Sequence, residues 1–256
     1  MCGFIGRLAL EFSRSTGLGV ILLLQSLYCF RYAFTKRARH EIINQMYVAG
    51  IKSLGVVTVV ALFTGMILAL QTGIELRRFS QEVNIGTAVM VSMLREMGPF
   101  MTGLIMAACV GSAIAAQIGT MVVSEEVAAL EVMSIDPVRF LVMPRMAAMI
   151  IMTPMIAFYT CVMGVMGGGI VGATQLGVAW TAYIDNATLY AGIKDLFVGM
   201  LKALIFGIII TTVACNEGFD TKGGAVGVGI TTRKTVIVAF LLILVMGYFI
   251  TRWFYI

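Results

Sequence analysis

The sequence predicts an all-α integral membrane protein with about five transmembrane helices, an N-terminal interfacial helix and one short cytosolic helix. Of the 256 residues, 60% are apolar and 12% are charged, whereas soluble domains carry about 25% charged residues. The mean hydropathy is +0.98, and several nearly charge-free runs are long enough to span the hydrocarbon of a bilayer. These runs lack the alternating pattern of a transmembrane barrel, so helices are the expected form.

Basic residues are concentrated ahead of the first strong apolar run. They are Arg7, Arg14, Arg31, Lys36, Arg37, Arg39 and Lys52. The positive-inside rule therefore places the N-terminus in the cytosol, and five spans would leave the C-terminus outside. The apolar run 17–30 is short and has basic residues on both sides, which favours a helix lying in the interface. A sixth crossing is the alternative, and it would return the C-terminus to the inside.

Five runs are predicted to cross the membrane. They cover residues 53–74, 97–124, 146–184, 196–216 and 235–251. The third is about twice the usual length of a span, so we expect one long helix followed by a segment outside the membrane. Residues 1–50 are expected to form a cytosolic and interfacial helical segment, and residues 51–256 to form the transmembrane domain.

Small residues in the second and third spans are expected to pack helices together. Gly164, Gly168 and Gly172 recur at every fourth position, and Gly111 begins a run of small residues. Such spacing lets helix backbones approach closely, either within one bundle or across a homodimer.

A few polar residues near the spans are candidates for substrate contact. Arg95 and Glu96 precede the predicted start of the second span, and ionisable groups at membrane depth are costly enough to suggest function. A local ion pair between these two neighbours is the alternative. Gln71, near the end of the first span, could bind either a headgroup or a neighbouring helix.

The loop between the second and third spans predicts a short amphipathic cytosolic helix. Ser124 is expected to cap it, Glu125 and Glu126 to occupy its first turn, where the helix dipole favours acids, and Pro137 to end it. Three apolar residues fall on one face: Val127, Leu130 and Met133. That face would be hidden from water only against a partner or the membrane. A solvated connector resting on the bilayer is the alternative.

Enzymatic and nucleic-acid functions find little support in the sequence. His40 is the single histidine, the five cysteines are scattered, and no HExxH, GxSxG or paired CxxC motif occurs, so no catalytic or metal site is predicted. The net charge of +5 is dispersed, so no nucleic-acid partner is expected. The glycine-rich run 223–234 lacks the spacing of a phosphate-binding loop. Any dependence on ATP must therefore come from another chain.

Several runs, in order and covering the chain from about Gln45 onward, resemble the MlaE permease family. They are residues 94–99 (LREMGP), 111–113 (GSA), 118–119 (IG), 125–126 (EE), 130–138 (LEVMSIDPV), 144–145 (PR) and 231–236 (TTRKTV). The resemblance implies the permease of an ABC transporter in a bacterial inner membrane. Such a permease moves phospholipids or related lipids between that membrane and the outer envelope.

The family resemblance also implies partners and roles for particular residues. Two copies would pair around a lipid cavity, two cytosolic ATPase subunits would bind ATP and Mg, and a ring of MCE-domain proteins would sit on the opposite side. The loop helix would couple the permease to the ATPase through Glu125, Glu126, Val127, Leu130, Glu131, Met133, Asp136 and Pro137. The lipid cavity would be lined by Leu70, Gln71, Ile74, Arg95 and Glu96.

The chain departs from the family pattern at two positions. Close relatives often carry an arginine where this chain has Cys109, and an acid where it has Gln117. If those two charges form a buried pair in relatives, both partners have been lost here together, which avoids an uncompensated buried charge. A secondary transporter or channel, which should show an internal repeat, and a non-transporting scaffold are the alternative functions.

Overall fold

The computed structural model describes residues 17–26, 28, 36–189 and 191–255, and the regular elements within these residues are all helical. Five helical runs are long and apolar enough to cross a membrane, and a shorter apolar helix, α1, covers Gly17–Ser26. The predicted all-α membrane fold is therefore confirmed. Residues 27 and 29–30 of the predicted interfacial run lie outside the described residues.

The first two spans are longer than the sequence predicted. Helix α2 (Lys36–Ala49) continues through a 3-10 turn into α3 (Leu54–Arg78). The second span consists of α4 (Ile85–Ser92), α5 (Gly98–Met106) and α6 (Ser112–Val123), which are joined by π-helical turns at Met93–Met97 and Ala107–Gly111. It begins well before residue 97, the predicted start. The prediction was wrong there because Arg95 and Glu96 were taken as the edge of a span that in fact contains them.

The remaining elements complete the bundle. Helix α7 (Glu126–Val132) lies in the loop, and a π-helical turn at Val138–Val142 leads into α8 (Met143–Gln175). The helices α9 (Trp180–Leu189), α10 (Ile193–Phe219) and α11 (Gly224–Tyr255) follow. The third predicted run is thus one long helix followed by a separate short one. We call the two ends of the bundle the α7 end and the α9 end. The α7 end also contains the start of α3 and the turn between α10 and α11. The α9 end also contains the start of α4 and the end of α11.

Helices α3 and α8 form a backbone-to-backbone contact made possible by glycine. One face of α3 is buried at every fourth residue: Val57, Ala61, Gly65, Ala69 and Gly73. A Cβ on Gly65 would overlap the carbonyl group of Gly164 on α8. The two helices can therefore approach this closely only because position 65 lacks a side chain.

Helix α9 is anchored to the bundle by one tyrosine. Tyr183 is fully buried, and its hydroxyl donates to the carbonyl oxygen of Val165 at 3.0 Å. Its ring stacks on that of Trp180, with 6.1 Å between the centroids. Thr87 of α4 also donates to the carbonyl oxygen of Asn186 at 2.7 Å. Helix α9 thus covers α4 and the glycine-rich end of α8.

Candidate functional site

Arg95 and Glu96 pair with another helix and not with each other. Both stand in the π-helical turn Met93–Met97, inside the second span. Arg95 pairs with Asp195, and Glu96 pairs with Lys202, both on α10. The alternative of a local ion pair between the two neighbours is therefore wrong, because their side chains reach two positions two turns apart on the facing helix. We call Arg95, Glu96, Asp195 and Lys202 the ion-pair network.

The Arg95–Asp195 pair is bidentate. Arg95 Nε donates to Asp195 Oδ1 at 2.7 Å, and Nη2 donates to Oδ2 at 3.2 Å. The hydroxyl of Tyr255, at the end of α11, donates to the same Oδ1 at 2.7 Å. The Tyr255 ring also lies against the guanidinium, 4.7 Å from its Cζ, which adds a cation–π contact. The Asp195 carboxylate, 6% exposed, is thereby neutralised and fully hydrogen-bonded.

The Glu96–Lys202 pair compensates for a proline in the helix. Lys202, whose side chain is 1% exposed, donates to Glu96 Oε1 and to the backbone carbonyl oxygen of Arg95, both at 2.7 Å. Pro99 has no N–H, so an α-helix would leave the carbonyl of Arg95 without its usual donor. Lys202 occupies that place. The hydroxyl of Thr251 on α11 donates to Glu96 Oε1 at 2.7 Å.

The ion-pair network joins the second and fourth spans near the α9 end of the bundle, and Thr251 and Tyr255 of α11 bond to it. Its two cations and two anions cancel, which offsets much of the cost of placing ionisable groups in a span. Sequence reasoning identified neither Asp195 nor Lys202 as a partner of these residues. The available signal was their spacing of seven residues, which puts both on one face of α10. Arg95 and Glu96 thus have a packing role that does not require a substrate.

The residues proposed to line the lipid cavity fall into two groups. Leu70, Gln71 and Ile74 lie exposed on the outer face of α3. Arg95 and Glu96 face α10 and α11 but keep about two-fifths of their side-chain surface exposed. None of the hydrogen bonds or ion pairs of the described residues joins the two groups. Within one chain, the structure does not bring them together.

The loop helix is shorter than predicted, and both of its boundaries differ. Ser124 ends α6, since its hydroxyl donates to the carbonyl oxygen of Thr120 at 3.0 Å. Glu125 takes the N-cap position, with a φ of 60°. The helix ends at Val132, well before Pro137, which instead directly precedes the next helical segment. The predictions that Ser124 caps α7 and that Pro137 ends it were therefore wrong, because both residues belong to the neighbouring helices.

Residues 125–136, which contain α7, expose both apolar and acidic side chains. Val132 is 86% exposed and Met133 is 61% exposed, although both are apolar. Val127 and Leu130 are half-buried. Four acids are also exposed: Glu125, Glu126, Glu131 and Asp136. The exposed apolar surface therefore centres on the end of α7 and not on the Val127–Leu130 face that the sequence suggested.

The predicted packing glycines lie at contacts within one chain. A Cβ added to Gly111 would lie 3.0 Å from Ile210. A Cβ added to Gly168 would lie 2.8 Å from the hydroxyl of Tyr183, and one added to Gly172 would lie 3.4 Å from the ring of Tyr183. At Gly164 the added atom would overlap Met93. Each glycine thus leaves room for a neighbouring helix or side chain of the same bundle.

The cation that faces Gln117 is Arg145. Its Nη2 donates to Gln117 Oε1 at 3.3 Å, and its Nη1 donates to the carbonyl oxygen of Leu141 at 2.8 Å. Arg145 is 7% exposed, whereas Cys109 is exposed. An acid at position 117 would therefore meet Arg145, which this chain retains.

Comparison with known proteins agrees with this architecture. A family model described as Permease MlaE matches residues 42–253. A probable ABC transporter permease protein of Rickettsia typhi is 42% identical over 211 residues, which cover 82% of each chain. The intermembrane phospholipid transport system permease protein MlaE of Haemophilus influenzae is 34% identical over 213 residues, or 82% of this chain and 81% of the relative. The chain belongs to the MlaE family of ABC transporter permeases.

Proposed function

We propose that this permease moves phospholipids between its membrane and the outer envelope, and that a separate cytosolic ATPase drives it. The substrate class is supported by the name of the Haemophilus relative, an intermembrane phospholipid transport permease. The structural support is the exposed apolar surface at the end of α7. The family of ABC transporter permeases implies an ATPase partner, and that surface is where we place its contact.

The end of α7 suits a protein partner better than water or lipid. Val132 and Met133 expose apolar area that is unfavourable in water. Four carboxylates on the same short segment disfavour burial among acyl chains. An apolar centre with a charged rim is the usual composition of a protein interface. ATP and Mg would be bound by the partner, and force would reach the bundle through α7.

The orientation follows from the basic residues. Lys52, Arg139, Lys222 and Arg233 lie at the α7 end, as do the basic residues at the start of α2. The positive-inside rule then puts the α7 end in the cytosol. The α9 end would face the envelope, where exposed Phe79, Leu189 and Ile193 offer apolar surface to a ring of MCE-domain proteins.

A second copy of the chain supplies the rest of the lipid cavity. Most exposed surfaces of the spans carry large apolar side chains, as expected against acyl chains. The second span instead shows small and polar residues: Ala108, Cys109 and Thr120 are exposed, and Ser112 and Ala116 are half-buried. Small residues favour close helix contact in membranes. Pairing across this stripe would explain why Leu70, Gln71 and Ile74 lack a facing wall within one chain.

Docking at α7 is tested by co-purification with the ABC ATPase of the source organism. We expect Val132→Asp and Met133→Asp to lose the ATPase, because each places a charge at the centre of the interface. Val83→Asp is the matched control, since Val83 is similarly exposed at the α9 end. Leu130→Asp is a poorer choice because Leu130 is half-buried. Full retention of the ATPase by both α7 variants would contradict the proposed contact.

A further inference from the structure

An open cavity of about 790 Å³ lies at the α7 end, apart from the ion-pair network. Helix α2 forms one wall and residues 134–145 form the other. Its lining combines apolar side chains, including Phe140 and Met143, with charged ones. Arg145 is part of this lining.

The guanidinium of Arg145 is buried, and no carboxylate of the described residues is hydrogen-bonded to it. Two of its nitrogens donate to Leu141 and Gln117, but Nε has no hydrogen-bond partner in the part of the chain that the structure describes. None of the ion pairs formed by the described residues includes Arg145. The bond to Gln117, at 3.3 Å, is also long for a charged donor. Among the described residues this cation, which is 7% exposed, bonds only neutral acceptors, so no direct ion pair offsets its desolvation cost.

Water alone does not remove this cost. A second cavity, of about 10 Å³, borders Arg145 beside Gln45 and Gln117, which is about the space that one water needs. A water there could accept from Nε but brings no negative charge. Because no carboxylate of the described residues bonds Arg145, a ligand anion that enters the larger cavity would supply the missing acceptor and compensate the charge.

The larger cavity also holds negative charge. Glu41 and Asp136 line it together with Arg139 and Arg145. One oxygen of each carboxylate accepts a hydrogen bond from its own segment, at 2.9 Å in both cases. Two cations and two anions around one opening favour a ligand that carries both signs. A simple anion would meet two carboxylates as well as two guanidinium groups.

We propose that this cavity binds the headgroup of a zwitterionic phospholipid from the adjoining leaflet. The phosphate would replace Gln117 as acceptor for Arg145, and the ammonium would lie between Glu41 and Asp136. Phe140 and Met143 would contact the upper part of the acyl chains. This site goes beyond the proposed transport function, because it lies at the opposite end from Leu70 and Ile74 and does not require the ATPase.

Photolabelling tests the site. The full chain, purified in a non-ionic detergent, is irradiated with a short-chain phosphatidylethanolamine that carries a diazirine beside its phosphate. We expect saturable labelling within residues 134–145. Gln117→Glu supplies an internal carboxylate to Arg145 and should lower that labelling about tenfold, the factor for losing one charge-assisted hydrogen bond. Arg233→Gln removes an exposed cation outside the cavity and should leave it unchanged.

Competition distinguishes the possible ligands. Unlabelled phosphatidylethanolamine should compete better than phosphatidylglycerol of equal chain length, and Glu41→Gln should remove that difference. Inorganic phosphate should not compete. Equal competition by inorganic phosphate would assign the cavity to a free anion and overturn the lipid proposal. Absent labelling of residues 134–145, or labelling unchanged by Gln117→Glu, would also overturn it, while ATPase docking at α7 would stand.

Discussion

Lys202 Nζ lies 2.7 Å from Glu96 Oε1 in the interior of the bundle. This pair connects α10 to the π-helical turn of the second span. The same ammonium also binds the carbonyl oxygen that Pro99 leaves without an N–H. An unpaired lysine in a span would destabilise the protein. Here the ammonium of Lys202 bonds both the Arg95 carbonyl oxygen and Glu96 Oε1, and it balances the charge of the Glu96 carboxylate.

Removal of this ammonium should destabilise the bundle. Lys202→Met keeps the side-chain length but leaves Glu96 without its counter-ion and Arg95 O without a donor. Breaking a fully buried pair costs about 3–5 kcal/mol. Because the Glu96 side chain is 42% exposed, we expect Lys202→Met to lower the free energy of unfolding by about 1–3 kcal/mol. The double variant Lys202→Met/Glu96→Gln should recover part of this loss, whereas additive losses would contradict a direct pairing.

Thiol labelling on heating provides the measurement. Cys161 and Cys215 are buried and should react with a maleimide dye only on unfolding. In a background with Cys2, Cys29 and Cys109 changed to alanine, the labelling midpoint reports the stability of each variant in detergent.

A methyl group between α3 and α8 should force the two helices apart. Gly65→Ala places its Cβ onto the backbone of Gly164, where neither helix can give way by a side-chain rotation. We expect a loss of about 3 kcal/mol, at the upper end of the usual cost of overpacking. Gly55→Ala is the matched control on the same helix, because none of the described residues lies within 4 Å of the added Cβ. Equal labelling midpoints for both variants would contradict the close contact.

An acid at position 117 should stabilise the chain. Gln117→Glu converts the neutral acceptor of Arg145 into a carboxylate of the same shape. We expect Gln117→Glu to raise the free energy of unfolding by about 1–3 kcal/mol, the range of a hydrogen bond to a charged group. The gain should vanish in the Arg145→Gln background, where no cation remains. A lower labelling midpoint for Gln117→Glu would show that the guanidinium is already neutralised by another group.

Truncation of Tyr183 should release α9 while leaving the spans folded. Tyr183→Ala removes a fully buried ring from between α8 and α9, at a cost of about 3–5 kcal/mol for large aromatic residues. Limited proteolysis should then cut near residues 176–192 in the variant much faster than in the wild type. Tyr183→Phe keeps the ring and loses only the bond to Val165, so its cleavage rate should stay close to wild type. Equal cleavage of both variants would contradict the anchoring role.

The number of spans could be predicted from the sequence because it depends on long apolar runs, which leave a strong local signal. The partners of Arg95 and Glu96 could not, since Asp195 and Lys202 lie about a hundred residues away in sequence and only the packing of α10 brings them together. The same limit applies to α7. Ser124 and Glu125 both suit a helix start, and only the backbone shows that Ser124 caps the end of the preceding helix.

The exposure of Val132 and Met133 is likewise a property of the fold. Helical periodicity placed Val127 and Leu130 on the outward face with Met133. The bundle half-buries the first two and leaves the end of α7 uncovered. Arg145 appeared in the sequence only as part of a motif. Its significance depends on its burial and on the lack of a bonded carboxylate among the described residues, which no local pattern shows.

ATP-dependent lipid movement tests the central proposal most directly. The permease and its ATPase would be reconstituted into vesicles that contain a fluorescent phospholipid, and the surface-accessible fraction of that lipid would be followed before and after ATP is added. We expect an ATP-dependent change that Met133→Asp abolishes and Val83→Asp preserves. No change despite a bound ATPase would indicate a scaffold, and lipid movement without the ATPase would indicate a channel or secondary transporter. Either result would overturn ATP-driven transport by this permease.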